Sequence, residues 1–206
     1  MSFKKNKYAI IRQAISKELA SFIANYFCMK KQVAKTMFDA RYISPFEEIF
    51  GTWKDEQIPN TYSHYSDIVM ETLLLKCQPI MEKTTGLKLY PAYTYARIYK
   101  KGDELKRHKD RFSCEISTTM NLGGDDWPIY LEPSGKENKK GVKVTLNQGD
   151  MLVYRGCDLE HWREKFKGKE CVQVFLHYNN SKTPGSKNNM FDTRIHLGLP
   201  SWFKKT

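Results

Sequence analysis

The sequence has few cysteines and no segment that suits export or membrane insertion. Its five cysteines are odd in number and form no Cys-x-x-Cys pair, so neither a disulfide framework nor a structural zinc site is expected. No apolar run approaches the roughly 18 residues of a membrane-spanning helix. The basic N-terminal stretch, 1–12, holds only the apolar run Tyr8–Ile11, which is too short for the core of a signal peptide. We therefore expect a cytoplasmic protein without a membrane span.

Low-complexity segments and internal repeats are also missing. Hydrophobic residues make up 40% and aromatic residues 13% of the 206 residues, which excludes a disordered, collagen-like or coiled-coil chain. This length corresponds to about one domain. We predict a single domain, 1–206, with a mostly helical layer and loops in 1–86, a β core in 87–178 and a C-terminal extension in 179–206.

Positive charge exceeds negative charge by a wide margin. The 34 lysines and arginines stand against 23 acidic residues, which gives a net charge of +11. A polyanionic partner is compatible with this excess, because basic groups near phosphates release counterions. The lysines are scattered along the chain, however, and dispersed basic pairs usually only solvate a surface. Nucleic acid is therefore a candidate partner, supported by the net charge alone.

The N-terminal part carries the pattern of two amphipathic helices. After Ser16, which can cap a helix, apolar residues recur from Leu19 to Phe27 at the spacing of one helical face. A second helix is predicted to begin near 66–67. Pro79 should kink or end it, and Gly86 should stop it.

Between these helices, residues 38–65 show no clean period and are predicted to form an ordered loop. The segment 60–65 is rich in hydroxyls and aromatic rings. It is a candidate lid over a binding site.

From Leu87 onward the hydrophobic period changes to two, which is typical of strands. Turn signals separate short strand patterns, and the helices gather at one end of the chain, so the sequence predicts an antiparallel sandwich or barrel rather than alternating βαβ units. After the strand that includes Tyr93–Tyr99, further strands are predicted at 105–110, 112–122, 127–132, 142–146, 151–154 and 171–178. The tail should fold back to bury its apolar residues Leu197, Leu199, Trp202 and Phe203.

Two histidines and an aspartate form the candidate chemical site. His108 and Asp110 are two residues apart on a predicted strand, so their side chains point to the same face. His161 follows a later strand. Two imidazoles and one carboxylate on one side of a metal are the facial triad of non-haem Fe(II) oxygenases. By itself the His-x-Asp pattern is weak, because solvent-facing polar pairs produce it by chance.

The surrounding residues make the pattern more specific. The run from Arg97 through Tyr99 and Gly102 to His108 and Asp110 resembles the R-x-Y-x-x-G-x5-H-x-D segment of the prolyl 4-hydroxylase branch of the 2-oxoglutarate and Fe(II)-dependent dioxygenases. The order of turns and strands that follows, up to residue 178, is similar too. Prolyl 4-hydroxylase-like proteins of bacteriophages are similar also in the N-terminal helical part.

The resemblance implies a mainly β fold with N-terminal helices around a double-stranded β-helix, or jelly roll. It implies an Fe(II)- and 2-oxoglutarate-dependent dioxygenase that uses O2 and a reductant such as ascorbate, and that hydroxylates a prolyl or other residue of a protein or peptide. His108, Asp110 and His161 would be the metal ligands, with no further catalytic residue. The co-substrate would leave as succinate and carbon dioxide.

One departure from the family pattern concerns the cation that holds the far carboxylate of 2-oxoglutarate. The family places a Lys or Arg nine to ten positions after the second histidine, where this chain has Glu170 and Cys171. Arg163 and Lys169 are the nearest candidates, and an arginine can grip a carboxylate through two parallel hydrogen bonds. The resemblance adds three co-substrate candidates: Tyr99, Thr119 and Asn121.

Three more residues are candidates for contact with the substrate: Arg97, Arg111 and Trp127. Each has a simpler alternative, because Arg97 can form a buried salt bridge, Arg111 is out of phase with the site, and an aromatic ring beside a turn usually packs. His177 is expected to pack in the core or against a metal ligand, and His64 and His196 are expected at the surface or in loops.

Two other functions remain open. Oxidative demethylation of nucleic acid is supported by the net charge alone. A non-catalytic jelly roll that binds metal or ligand is supported by the missing basic residue at the usual spacing, since one fold serves many functions.

Overall fold

The computed structural model describes residues 3–44, 46–136 and 139–205. Three helices are present: α1 (Phe3–Asn6), α2 (Lys17–Asp39) and α3 (Ile68–Thr85), with 3-10 turns at Phe112–Cys114 and Met190–Thr193. The strands are β1 (Tyr8–Ile11), β2 (Tyr62–Tyr65), β3 (Leu89–Lys100), β4 (Leu105–His108), β5 (Ile116–Gly124), β6 (Ile129–Glu132), β7 (Val142–Val144), β8 (Met151–Arg155), β9 (Glu160–Arg163) and β10 (Glu170–Asn180).

The strands form two antiparallel sheets. The larger sheet has six strands in the order β1-β8-β5-β10-β3-β2, and the smaller has four in the order β4-β9-β6-β7. Most neighbouring strands are not consecutive in the chain, as in a jelly roll, although β2 pairs with β3 and β6 with β7. The mainly β fold with N-terminal helices, predicted from the sequence, is confirmed.

Helices α2 and α3 cover the outer face of the larger sheet, and the main hydrophobic core lies between them and that sheet. Both begin at the predicted caps: the Ser16 hydroxyl accepts from the Leu19 backbone N–H, and the Asp67 carboxylate accepts from Val69 and Met70. Gly86 ends α3 in the left-handed conformation, with φ of 71°. The helices leave the inner faces of the sheets free to form a site.

Pro79 does not end α3, which continues to Thr85. A proline removes one backbone donor. The turn that follows is held by burial of Met81 and by the Thr85 hydroxyl, which donates to the Met81 carbonyl over 2.8 Å. Tertiary packing therefore outweighs the missing hydrogen bond.

Three strands lie where the sequence pattern did not predict them. β1 pairs with β8 at one edge of the larger sheet, β2 pairs with β3 at the other edge, and β9 pairs with β4 and β6. Each has only four residues, too few for a clear period. The predicted lid at 60–65 is wrong, because most of it is β2. His64 on this strand is buried, not a surface residue.

The C-terminal extension crosses back to α3. Arg194 is fully buried and pairs with Glu71, with 2.7 Å between Nη2 and Oε1. Leu197 packs against the main core, but Trp202 and Phe203 are 65% and 43% exposed. The predicted burial of these two aromatic rings is therefore wrong, because the buried ion pair anchors the tail before it reaches them.

In the part of the chain that the structure describes, no helix combines the length and the apolar character that crossing a bilayer requires.

Candidate metal centre

The three predicted metal ligands come together at the open end of the smaller sheet. His108 and His161 face each other in the β4–β9 register, and Asp110 lies two residues past the end of β4. Asp110 Oδ1 is 3.4 Å from His161 Nε2 and 3.7 Å from His108 Nε2. All three donor atoms lie within 4.8 Å of one another, so one divalent ion can reach all of them after small side-chain shifts.

Backbone carbonyls fix the tautomers of the two histidines. His108 Nδ1 donates to the Lys106 carbonyl over 2.7 Å, and His161 Nδ1 donates to the Leu159 carbonyl over 3.0 Å. With Nδ1 as the donor to a carbonyl, Nε2 of each ring is the nitrogen that faces Asp110 and could bind a metal. The donor set therefore fits a divalent first-row metal with open positions.

The electrostatics favour the protonation states that bind metal. Burial raises the pKa of the Asp110 carboxyl, but a hydrogen bond with His161, electrostatic interaction with His161 and His177, and a hydrogen bond from Ser117 hold that pKa below its usual range. Burial lowers the pKa of His108, and repulsion from His161 lowers it further. An ionised carboxylate and a neutral imidazole are the metal-binding forms.

Asp110 packs against a glycine that leaves no room for a side chain. The Asp110 backbone N–H donates to the Gly156 carbonyl over 2.9 Å. A Cβ on Gly156 would lie 2.3 Å from both Asp110 Oδ2 and the Cys114 carbonyl oxygen, and 2.8 Å from Ser117 Oγ. The glycine thus allows the close approach that aims the carboxylate.

We expect Gly156→Ala to weaken metal binding about 10–100-fold, the usual cost of disturbing the groups around a ligand. The added methyl group must displace Asp110 or the backbone behind it. The measurement is Co(II) affinity of the metal-free protein. Gly168→Ala is the matched control, because its Cβ would clash with Asp125 and Phe166 instead. It should lower the melting temperature and leave Co(II) affinity unchanged. Equal Co(II) affinities in the wild type, Gly156→Ala and Gly168→Ala would contradict the prediction that Gly156 makes room for Asp110.

A cavity of about 380 Å³ opens beside the triad. Tyr93, Tyr95 and Phe175 form aromatic walls, and Arg97 and Arg111 are also on its surface. A few polar groups on apolar walls are typical of small-molecule and side-chain sites.

Arg163 is a buried cation without an acidic partner. It is 1% exposed and lies two residues from His161 on β9, hence on the same face. Among the described residues no carboxylate pairs with it, and Nε has no hydrogen-bond partner. Its other donors reach neutral oxygens, the Trp127 carbonyl and Thr119 Oγ1. Burial lowers the pKa of Arg163. An uncompensated buried charge is costly, so this site fits an anionic ligand.

Of the other co-substrate candidates, Thr119 and Tyr99 each bond to an arginine. Thr119 accepts from Arg163 Nη2 over 3.1 Å, and the buried Tyr99 hydroxyl accepts from Arg97 over 3.3 Å. Lys169 is exposed. Neither Lys169 nor the buried Arg163, Thr119 and Tyr99 line the cavity beside the triad, so exposure and not the cavity distinguishes Lys169 from them. The placement of Asn121 corrects the prediction for it: its amide donates to the Leu146 carbonyl and its oxygen accepts from Gly123, so it holds turns beyond the cavity.

Both arginines predicted for substrate contact line the cavity, and both have acidic partners. Arg97 is buried and pairs with Asp55, with 2.5 Å between Nη2 and Oδ2. Arg111 is half-exposed and pairs with Asp192, with 2.9 Å between Nη1 and Oδ1. Trp127 is wrong as a mouth residue: it is buried among apolar side chains, and its indole N–H donates to the Glu164 carbonyl.

Sequence reasoning missed several residues of the site. Asp55 and Gln57 lie in a segment without periodicity, and they reach the cavity only because their loop crosses it. Gln57 Nε2 is 3.2 Å from His108 Nε2. Ser117 contacts Asp110 Oδ2 over 2.8 Å. Ser117 and Thr119 lie two residues apart on β5 and therefore share a strand face. This alternation is the feature of the sequence that could have identified Ser117.

Comparison with known proteins is informative at the level of three-dimensional structure only. No protein-family model matches the chain, and no curated protein matches it in sequence. Many solved structures share its fold, and these include 2-oxoglutarate and Fe(II)-dependent oxygenases. The resemblance drawn from the sequence is confirmed for the fold.

Three of these structures show the extent of the similarity. A Pseudomonas putida prolyl-4-hydroxylase is 14% identical, with a TM-score of 0.59 over 86% of this chain and 95% of its own. The viral collagen prolyl hydroxylase of Paramecium bursaria Chlorella virus-1, a 2-oxoglutarate complex, is 11% identical, with a TM-score of 0.56 over 85% and 97%. HygX from Streptomyces hygroscopicus, with nickel and 2-oxoglutarate bound, is 13% identical, with a TM-score of 0.55 over 87% and 85%.

Proposed function

We propose that this protein is an Fe(II)- and 2-oxoglutarate-dependent dioxygenase. The observation that carries the proposal is the unpaired, buried Arg163 on the same strand face as the metal-ligating candidate His161. A metal triad alone fits many functions. A triad with an uncompensated cation deeper in the fold fits a chelating dicarboxylate that reaches from the metal to the cation.

Each residue then has a defined part. His108, Asp110 and His161 hold the metal, and Arg163 holds the far carboxylate of 2-oxoglutarate, with Thr119 positioning its guanidinium over 3.1 Å. When bound, Fe(II), 2-oxoglutarate and O2 supply the oxidation, with succinate and carbon dioxide as by-products. The aromatic cavity walls exclude water and orient the substrate C–H bond.

The substrate class we propose is a prolyl or other residue of a protein or peptide. The cavity supports it, since its aromatic walls suit an apolar ring and its arginines suit neighbouring carbonyl oxygens. Two of the structures with this fold are described as prolyl hydroxylases. HygX has also been solved with hygromycin B bound, so the fold alone does not select the substrate.

One experiment distinguishes the proposed function from the two alternatives, a non-catalytic jelly roll and a nucleic-acid demethylase. Arg163 answers the main argument for a non-catalytic jelly roll, which was the missing cation at the usual spacing. Nucleic-acid demethylation still rests on the net charge of +11. The five cysteines are all free thiols, which supports a reducing compartment such as the cytoplasm.

The experiment is succinate formation from 2-oxoglutarate by the purified protein with Fe(II), O2 and ascorbate. Prolyl peptides and methylated oligonucleotides are added in separate reactions. A peptide gain of one oxygen in mass supports the proposal. Succinate formation with oligonucleotide demethylation instead would overturn the substrate class, and no succinate in any reaction would overturn the enzyme assignment. His161→Ala is the background control.

Zinc is expected to inhibit the enzyme. It takes the same nitrogen and oxygen ligands but has no redox chemistry. Excess zinc should therefore abolish succinate formation, and removing it with a chelator before Fe(II) is restored should recover activity. Turnover that requires zinc would contradict the assignment.

A further inference from the structure

Behind the metal centre, a buried serine lies among three polar groups. Ser117 Oγ is 2.8 Å from Asp110 Oδ2, 2.9 Å from the Cys114 carbonyl oxygen and 3.0 Å from His177 Nδ1. Ser117 is fully buried and His177 is 6% exposed. No water-exposed alternative is available to the hydroxyl, so its single proton must be shared out among these neighbours.

Counting protons fixes the direction of these hydrogen bonds. If His177 Nδ1 lacked a proton, it would compete with Asp110 and the Cys114 carbonyl for the one serine proton, and two of these three acceptors would face Oγ without a proton between them. With Nδ1 protonated, His177 donates to Ser117, and Ser117 can donate to the carboxylate. A hydrogen bond to an ionised acceptor is the stronger choice.

From this geometry we infer that Ser117 and His177 form a hydrogen-bond relay that fixes Asp110 as a one-oxygen metal ligand. Oδ2 is occupied by Ser117, while Oδ1 faces both histidine Nε2 atoms. Asp110 would therefore offer a bound metal Oδ1 alone, because its other oxygen is held by Ser117. The inference rests on the proposed metal site but not on any reaction there.

Packing holds the relay in place. The His177 ring lies 4.5 Å from the Tyr93 ring, which itself stacks on Tyr65 at 4.9 Å. On the other side, Gly156 closes over Asp110 Oδ2 and Ser117 Oγ, leaving no space for a side chain. The carboxylate thus has one favourable orientation before any ion arrives. Preorganised outer groups of this kind usually raise metal affinity.

The test uses Co(II) as the probe on metal-free protein, with affinity and visible absorption spectrum as readouts. Ser117→Ala and His177→Phe should each weaken Co(II) binding about 10–100-fold. Their spectra should change because the released carboxylate can bind through both oxygens. The double variant should cost no more than the worse single one, since both break the same chain.

Rescue and control variants separate positioning from general packing. His177→Asn keeps an N–H donor near the position of Nδ1 and should restore most of the affinity and the original spectrum. Thr94→Val removes a buried hydroxyl that has no hydrogen-bond partner, and should leave both readouts unchanged. Thermal unfolding confirms that each variant is folded at the temperature of titration.

Wild-type affinity and spectrum in both Ser117→Ala and His177→Phe would overturn the inference. So would a His177→Asn protein that is as weak as His177→Phe while remaining folded. If wild-type protein binds Co(II) with the expected variant effects but forms no succinate with Fe(II), the dioxygenase proposal fails and the relay stands.

Discussion

Arg163→Met is expected to raise the 2-oxoglutarate concentration needed for half-maximal succinate formation by roughly two to four orders of magnitude. Removing one partner of a buried charge pair costs about 3–5 kcal/mol, and each 1.4 kcal/mol is about tenfold in affinity. The carboxylate would still have to enter a site without water or counter-charge. The measurement is the 2-oxoglutarate dependence of the initial rate.

The same variant should change stability little when no ligand is bound. Loss of the hydrogen bond to the Trp127 carbonyl destabilises the fold, but replacing an unpaired buried charge by an apolar chain of similar size stabilises it. Thr119 and Gln173 remain bonded to each other over 2.9 Å. A large loss of co-substrate affinity at nearly constant melting temperature would distinguish ligand binding from structural support.

Lys169→Met is the matched control, because this exposed lysine is the other basic candidate near the end of the sheet. It should leave the 2-oxoglutarate requirement unchanged. If Arg163→Met shifts that requirement by less than about threefold, which is under 1 kcal/mol, the far carboxylate is held elsewhere. A large shift in Lys169→Met would mean that Lys169, and not Arg163, holds the far carboxylate.

Alanine substitutions of the three predicted metal ligands should remove metal binding and succinate formation while the fold survives. His108→Ala, Asp110→Ala and His161→Ala each delete a direct ligand, so the loss should exceed the roughly 100-fold upper end of the cost of disturbing outer hydrogen bonds. The side chains face a cavity rather than the main core. Co(II) titration and thermal unfolding measure the two effects separately.

His196→Ala is the control for these variants, since His196 is exposed and its Nδ1 donates to the neighbouring Leu197 carbonyl, away from the triad. It should bind Co(II) as the wild type does. Full metal affinity and full turnover in any one of the three ligand variants would remove that residue from the metal site. The remaining pair would then need a different third ligand.

Local patterns in the sequence were sufficient for the order of the long elements. The family resemblance was needed to single out His108, Asp110 and His161, whose donor atoms the structure brings within 4.8 Å of one another. The capping residues Ser16 and Asp67 mark real helix starts because capping depends on neighbours two or three positions away. The spacing and the resemblance predicted that His108 and Asp110 lie side by side. The structure places them so, although β4 ends at His108. His161 was predicted as the third ligand from the order of motifs in the resemblance.

Only the tertiary structure shows that Arg163 is buried and Lys169 exposed, because burial depends on how β9 and β10 pack and not on sequence spacing. The same holds for Trp127, whose ring packs inside, and for Asn121, which lies past the cavity on the same strand face as Thr119. Ser117 and His177 meet across β5 and β10, which pair there in register. Such contacts join residues far apart in the chain, so only the folded sheets bring them together.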